Sequence, residues 1–173
     1  HHALFQVASI ITTTGFATVD FNYWPAFSKS LLVLLMFIGA CAGSTGGGIK
    51  CSRVVLMAKS VKKEMQYLIH PRVVRVHKMD GHRVQHEVMR SVNAFLIAYL
   101  LIFVVSVLLV SLTCEDMVTN FTAVATALNN VGPGLELVGP AANFSFLHPL
   151  SKIVLMFDML AGRLELFPML LLF

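Results

Sequence analysis

The chain has 173 residues, 57% of them hydrophobic and only 13% charged, with a mean hydropathy of +0.77. Soluble domains carry about 25% charged residues, so this composition excludes an ordinary soluble domain and points to lipid as the solvent. Of the 13 Lys and Arg, ten lie between Lys50 and Arg90, and Lys29, Lys152 and Arg163 lie elsewhere; a basic loop between apolar blocks is the positive-inside pattern, not the spread-out basic surface of a nucleic-acid binder, and it places residues 53–90 in the cytoplasm.

The chain opens on a short helical pattern, Ala3 to Ile11, far below the roughly 20 residues that a bilayer-spanning helix needs. Thr12-Thr13-Thr14-Gly15-Phe16 follows, a run of poor helix formers. Asp20 to Pro25 is a polar, aromatic turn whose Tyr23 and Trp24 suit a membrane interface. Ser30 to Ala42 reads as an apolar helix that meets Gly43-Ser44-Thr45-Gly46-Gly47-Gly48, and each of these glycines costs a helix about 1 kcal/mol relative to Ala. The helix is expected to break there at membrane depth, which is tolerated only where protein covers the backbone or a cavity adjoins it. Ile49 to Gln66 resumes as a basic helix leaving the membrane.

Residues 67–90 read as a cytoplasmic linker in which Asp80-Gly81, between alternating segments, predicts a small hairpin. Ser91 to Leu112 is a charge-free membrane helix. Thr119 to Asn129 is a second short helix, followed by Asn130-Val131-Gly132-Pro133-Gly134 and an outer loop with Pro140 and Pro149. Leu150 to Phe173 re-enters the membrane carrying Asp158, Arg163 and Glu165. The sequence reads as cut at both ends. Cys41, Cys51 and Cys114 have no metal-like spacing and read as small core or lipid-facing residues. His70, His77, His82 and His86 read as part of a solvated loop, with only His82 and His86 at a helical i,i+4 spacing suited to a metal. Asn120-Phe121-Thr122 and Asn143-Phe144-Ser145 match the glycosylation pattern incidentally.

The two halves match one another. With Gly15 placed on Gly132, Val7-Ala8-Ser9 falls on Val124-Ala125-Thr126, and Thr13-Thr14-Gly15 on Asn130-Val131-Gly132. Leu35-Met36-Phe37 also resembles Leu155-Met156-Phe157, and Ala42-Gly43 resembles Ala161-Gly162. Each unit reads short helix, Gly-containing strand, long helix, and internal repeats of this kind are common in membrane transport proteins. The short helix would point the partial negative charge of its C-terminus at the membrane centre, which favours a cation. The strand climbing back out has no sheet partner, so its carbonyls are free to replace the hydration shell of a potassium ion. The fold class expected is an all-α membrane protein of helix–pore-helix–helix repeats with re-entrant selectivity-filter loops.

Four motifs, in order, resemble the bacterial TrkH-type potassium uptake proteins of the Trk/Ktr/HKT superfamily: Thr12-Thr13-Thr14-Gly15-Phe16, Ala42 to Lys50, Asn130-Val131-Gly132-Pro133-Gly134, and Ala161-Gly162-Arg163-Leu164-Glu165-Leu166-Phe167-Pro168. The resemblance covers nearly the whole chain, and the Asn-Val-Gly-Pro-Gly strand and long linker favour the TrkH branch over the Ktr branch. It implies four repeats in the full protein, of which residues 1–66 are part of the third, 67–90 a cytoplasmic linker, and 91–173 most of the fourth. It implies that Thr13, Thr14, Gly15 and Phe16 form one filter wall for K+ and Asn130, Val131, Gly132 and Pro133 another. It implies an intramembrane gate at Gly43, Ser44, Thr45, Gly46, Gly47 and Gly48 with the neighbouring Lys50, and a pore arginine at Arg163. It also implies a multi-pass protein of the bacterial inner membrane, contacting lipid, with K+ as cargo and no bound cofactor. The family's usual partners are a second copy (a homodimer) and a cytosolic, TrkA-like nucleotide-binding regulatory subunit; no nucleic acid is expected.

Bland readings stand beside these. Arg163 faces the pore as a cationic barrier, or else it snorkels to the cytoplasmic side or pairs with Glu165 or Asp158. The Gly-rich run is a gate or a close helix-packing element. It is not a phosphate loop, because Ile49 separates Gly48 from Lys50 where that motif requires Lys directly after the glycine. The function expected is potassium transport, not enzyme chemistry, because the apolar spans hold almost no titratable groups besides Asp158, Arg163 and Glu165. A sodium transporter of the same superfamily and a non-conducting structural fragment are the alternatives.

Overall fold

The computed structural model of the chain describes residues 1–39, 41, 44, 46–69, 78–79, 82–83, 86–113 and 116–163. The first helix, α1 (His2–Ile11), ends at a Thr12 cap whose N–H donates to Ala8 O. A one-turn 3-10 segment, Phe21–Tyr23, is capped by Asp20, whose carboxylate accepts from the Asn22 N–H at 2.9 Å. Pro25 then starts α2 (Ala26–Phe37), since its fixed φ suits the mouth of a helix.

The structure corrects the expected break. Helix α2 stops at Phe37, before the glycine run, and not at Ala42. Ile38 turns extended, with φ −89° and ψ 90°, and β1 (Ile38–Gly39) pairs in parallel with β2 (Ile49–Lys50), Ile38 opposite Ile49 and Gly39 opposite Lys50. Ile and Gly are both weaker helix formers than the Leu and Met before them, and the bridge supplies other partners for the backbone. It also holds the two ends of the Gly-rich loop together. Cys51 reinforces this neck by donating its Sγ–H to Gly39 O at 3.1 Å. Helix α3 (Cys51–Ile69) follows, and β3 (Lys78–Met79) pairs antiparallel with β4 (His82–Arg83). Asp80 and Gly81 lie outside the described residues, as do His70, His77 and Cys114.

Helix α4 (His86–Ser111) is longer at its start than the apolar pattern suggested. Its Glu87–Ser111 stretch is, among the described residues, the one helix long and apolar enough to cross a membrane, and only 28% of its most apolar window is buried. Leu100, Leu101, Val104, Val105, Leu108 and Leu109 are exposed. A soluble core helix would hide that face. Helix α5 (Met117–Leu128) is capped by Asp116, whose Oδ2 accepts from the N–H groups of Val118 and Thr119; this satisfies two of the orphan donors of a helix start. Its residues from Thr119 to Leu128 are almost all buried. Helix α6 (Pro149–Arg163) packs against both α4 and α5.

Two apolar clusters hold the elements together. One joins α4, α5 and α6 with the far end of α2, through Phe37, Phe103 and Phe121; Phe103 meets Phe37 and Phe121 edge-on at 5.5 and 5.2 Å between ring centroids. The other joins Ile10, Phe21, Leu32 and Met36 of the first half to Val131 and Leu135 of the second. That second cluster brings the two Gly-centred strands side by side.

Candidate functional site

The expected repeat is present in individual hydrogen bonds. The N–H of Thr14 donates to Ser9 O at 2.9 Å, and that of Val131 to Thr126 O at 3.0 Å. Thr12 and Asn129 donate from their backbone to Ala8 O and Ala125 O, both at 3.1 Å. Their side chains reach the same two carbonyls, each at 2.7 Å. Thr13 and Asn130 both take left-handed backbone, φ 55° and 53°, and Gly15 and Gly132 follow with φ 78° and 109°. A helix end wound this way turns the chain back on itself.

Among the described residues no donor reaches the carbonyls of Thr13, Thr14 and Gly15, or those of Asn130, Val131 and Gly132. Phe16 differs: its carbonyl accepts from Ser9 Oγ at 2.6 Å, and its ring is 72% exposed. Thr13, Thr14, Asn130, Val131 and Gly132 line one open groove of about 470 Å³, walled by Leu155, Met156 and Met159 of α6. Gly15 lies against the other strand. A Cβ at Gly15 would collide with Val131 O and come within 3.1 Å of Pro133. The expected filter residues of both halves are therefore neighbours.

The second strand is braced from below. Tyr99 Oη donates to Asn129 Oδ1 at 2.8 Å, and Asn130 Nδ2 donates to Met159 O at 3.1 Å. The Gly-rich loop lies against the same helix end, since a Cβ at Gly47 would strike Asn129 O and sit 3.0 Å from Asn130 Cβ. Helix α6 arrives there as well, with Gly162 packed on Leu128 O. Ser44, Gly46, Gly48, Lys50, Gly162 and Arg163 share one cavity of about 40 Å³ with Arg53 and Tyr99. Arg53 stacks over the Phe95 ring at 4.1 Å. The structure thus gathers loop residues and Arg163 beneath the strands. Gly43, Thr45 and Glu165 lie outside the described residues. Asp158, the other suggested partner of Arg163, is elsewhere: it is fully buried, accepts from Ser106 Oγ at 2.7 Å, and its Oδ2 has no partner among the described residues.

The sequence reading missed Asn22, Tyr99 and Asn129. Asn129 had a signal, since it aligns with Thr12 in the repeat. Asn120 is buried, which removes it as a glycosylation acceptor. No group of His, Cys, Asp or Glu that could hold a metal ion occurs among the described residues.

Two short helices ending on turned-back strands, beside a long helix with an exposed apolar face, define an all-α membrane protein of re-entrant helix–pore-helix–helix units. A family model described as "TrkH: Cation transport protein" matches residues 1–173, and the chain belongs to this family. It is 42% identical over 173 residues to the Trk system potassium uptake protein TrkH of Escherichia coli K12, covering 100% of this chain and 35% of that protein. It is 45% identical over 170 residues to TrkH of Vibrio parahaemolyticus, covering 98% and 35%. The crystal structure of the potassium transporter TrkH from Vibrio parahaemolyticus superposes with a TM-score of 0.90 at 44% identity, over 99% of this chain and 36% of that one. The chain spans about a third of the length of these relatives.

Proposed function

We propose that the protein containing this chain is the pore-forming subunit of a Trk-type potassium uptake system. The chain contributes two of the filter walls, Thr13–Phe16 and Asn130–Pro133, and potassium is the transported ion. The observation that carries the reading is the pair of adjacent strands whose carbonyls at Thr13–Gly15 and Asn130–Gly132 meet no donor among the described residues, each strand leaving the C-terminal end of a short helix. Carbonyl rings replace the hydration shell of a potassium ion, and helix C-termini favour a cation nearby. Below them, the Gly-rich loop from Gly43 to Gly48, with Lys50, acts as a gate, and Arg163 adds a cationic barrier. Residues 53–90 face the cytoplasm, where a nucleotide-binding regulatory subunit docks, and the working unit is a homodimer in the inner membrane.

The test is growth of a potassium-uptake-deficient bacterial strain at limiting K+. The full-length gene should restore growth, and the 173-residue chain alone should not, because two walls do not enclose an ion path. Failure of the full-length gene while its product is present in the membrane would refute the reading; rescue that follows Na+ and not K+ would move it to sodium transport.

A further inference from the structure

The turns that follow the two strands are tied together by one side chain. The Asn22 carboxamide makes two hydrogen bonds to the backbone of Glu136: Nδ2 donates to Glu136 O at 3.1 Å, and Oδ1 accepts from Glu136 N–H at 3.0 Å. Both anchors are stiff. Asn22 sits in the turn capped by Asp20, beside the fully buried Phe21. Glu136 is a non-glycine residue at φ 51°, a strained conformation that persists only where its surroundings hold it. Its neighbour Leu135 donates to Thr122 Oγ1 of α5 at 3.2 Å, and the N–H of Gly134 closes onto Val138 O at 2.7 Å. The turn after Pro133 is therefore fixed to α5 on one side and to Asn22 on the other. The Lys29–Glu136 ion pair at 3.3 Å lies alongside, half exposed, and contributes little.

We propose that Asn22 is a positioning residue for cation selection: it sets the spacing between the outer ends of the two carbonyl strands. This rests on the transport reading above. Selection by carbonyls depends on their geometry and stiffness. Releasing one strand from the other should admit sodium before it stops potassium.

Gly139 offers an independent handle. A Cβ there would occupy the place of the Asn22 carboxamide. Gly139→Ala therefore displaces the clamp while leaving Asn22 in the sequence. In full-length protein reconstituted into liposomes, Asn22→Ala should lower the K+/Na+ flux ratio about fivefold, the scale of one net hydrogen bond. Gly139→Ala should do the same, and the double variant should be no worse than either single one. A flux ratio unchanged in Asn22→Ala, or losses that simply add in the double variant, would overturn the clamp. If Asn22→Ala does not accumulate in the membrane, Gly139→Ala carries the same expectation by itself. A wild-type protein without K+ preference would sink the transport reading instead. The same cycle read as melting temperature would then decide the clamp, non-additive shifts supporting it and additive ones rejecting it.

Discussion

At the scale of single residues, the paired glycines carry unequal burdens. Gly15 and Gly132 share a positive φ, which an L side chain resists by about 1–2 kcal/mol. Only Gly15 has the neighbouring strand where its Cβ would be; no atom of the described residues lies within 4 Å of the corresponding point at Gly132. Gly15→Ala should therefore abolish K+-dependent growth and lower the melting temperature of the full-length protein. Gly132→Ala should impair growth less and melt closer to wild type. Equal loss in the two variants would mean that backbone strain alone governs both sites. These glycines were legible in the sequence because a repeat brings them into register. Asn22 was not, because its partner is a backbone 114 positions away and is itself unmarked by composition. Tyr99 looked like any aromatic on an apolar helix until Asn129 appeared beneath it.

At the scale of elements, helix identity could be read from apolar runs, whereas helix ends depended on local bonds the runs do not encode. Asp116 starts α5 earlier than its hydrophobic stretch. The bridge at Ile38 and Ile49 ends α2 earlier than its glycines, and a two-residue strand has no periodicity to detect. That bridge sets the two residues before the Gly-rich loop against the two after it, and as a parallel pair it depends on the connection between them. Deleting residues 43–48 in the full-length protein should raise K+ conductance in single-channel or flux recordings, and unchanged conductance would count against a gate. Arg163→Ala, at the floor of the same cavity, should alter K+ uptake; identical flux and affinity would remove Arg163 from the ion path.

At the scale of the molecule, charge and hydropathy indicated a membrane protein, and α4 shows why: most of its most apolar window is exposed. Val104, half exposed on that face, gives a direct check. Val104→Arg should cost about 2.5–3.5 kcal/mol of insertion and deplete the full-length protein from the membrane fraction on immunoblots; normal accumulation would mean that another part of the protein covers this face. The side-by-side arrangement of the strands was the least legible feature. The repeat predicts two strands but not their distance, to which the packing of Phe21, Val131 and Leu135 contributes at the core. The Asn22–Glu136 tie, 114 residues apart in sequence, also sets a clock. At roughly 5–20 residues per second of synthesis, the first strand waits about 6–23 s for its partner to be made. During that interval its local ties are those to its own helix, Ser9 to Phe16 O and Thr12 to the Thr14 hydroxyl, so damage to those two bonds should be felt most by the newborn chain.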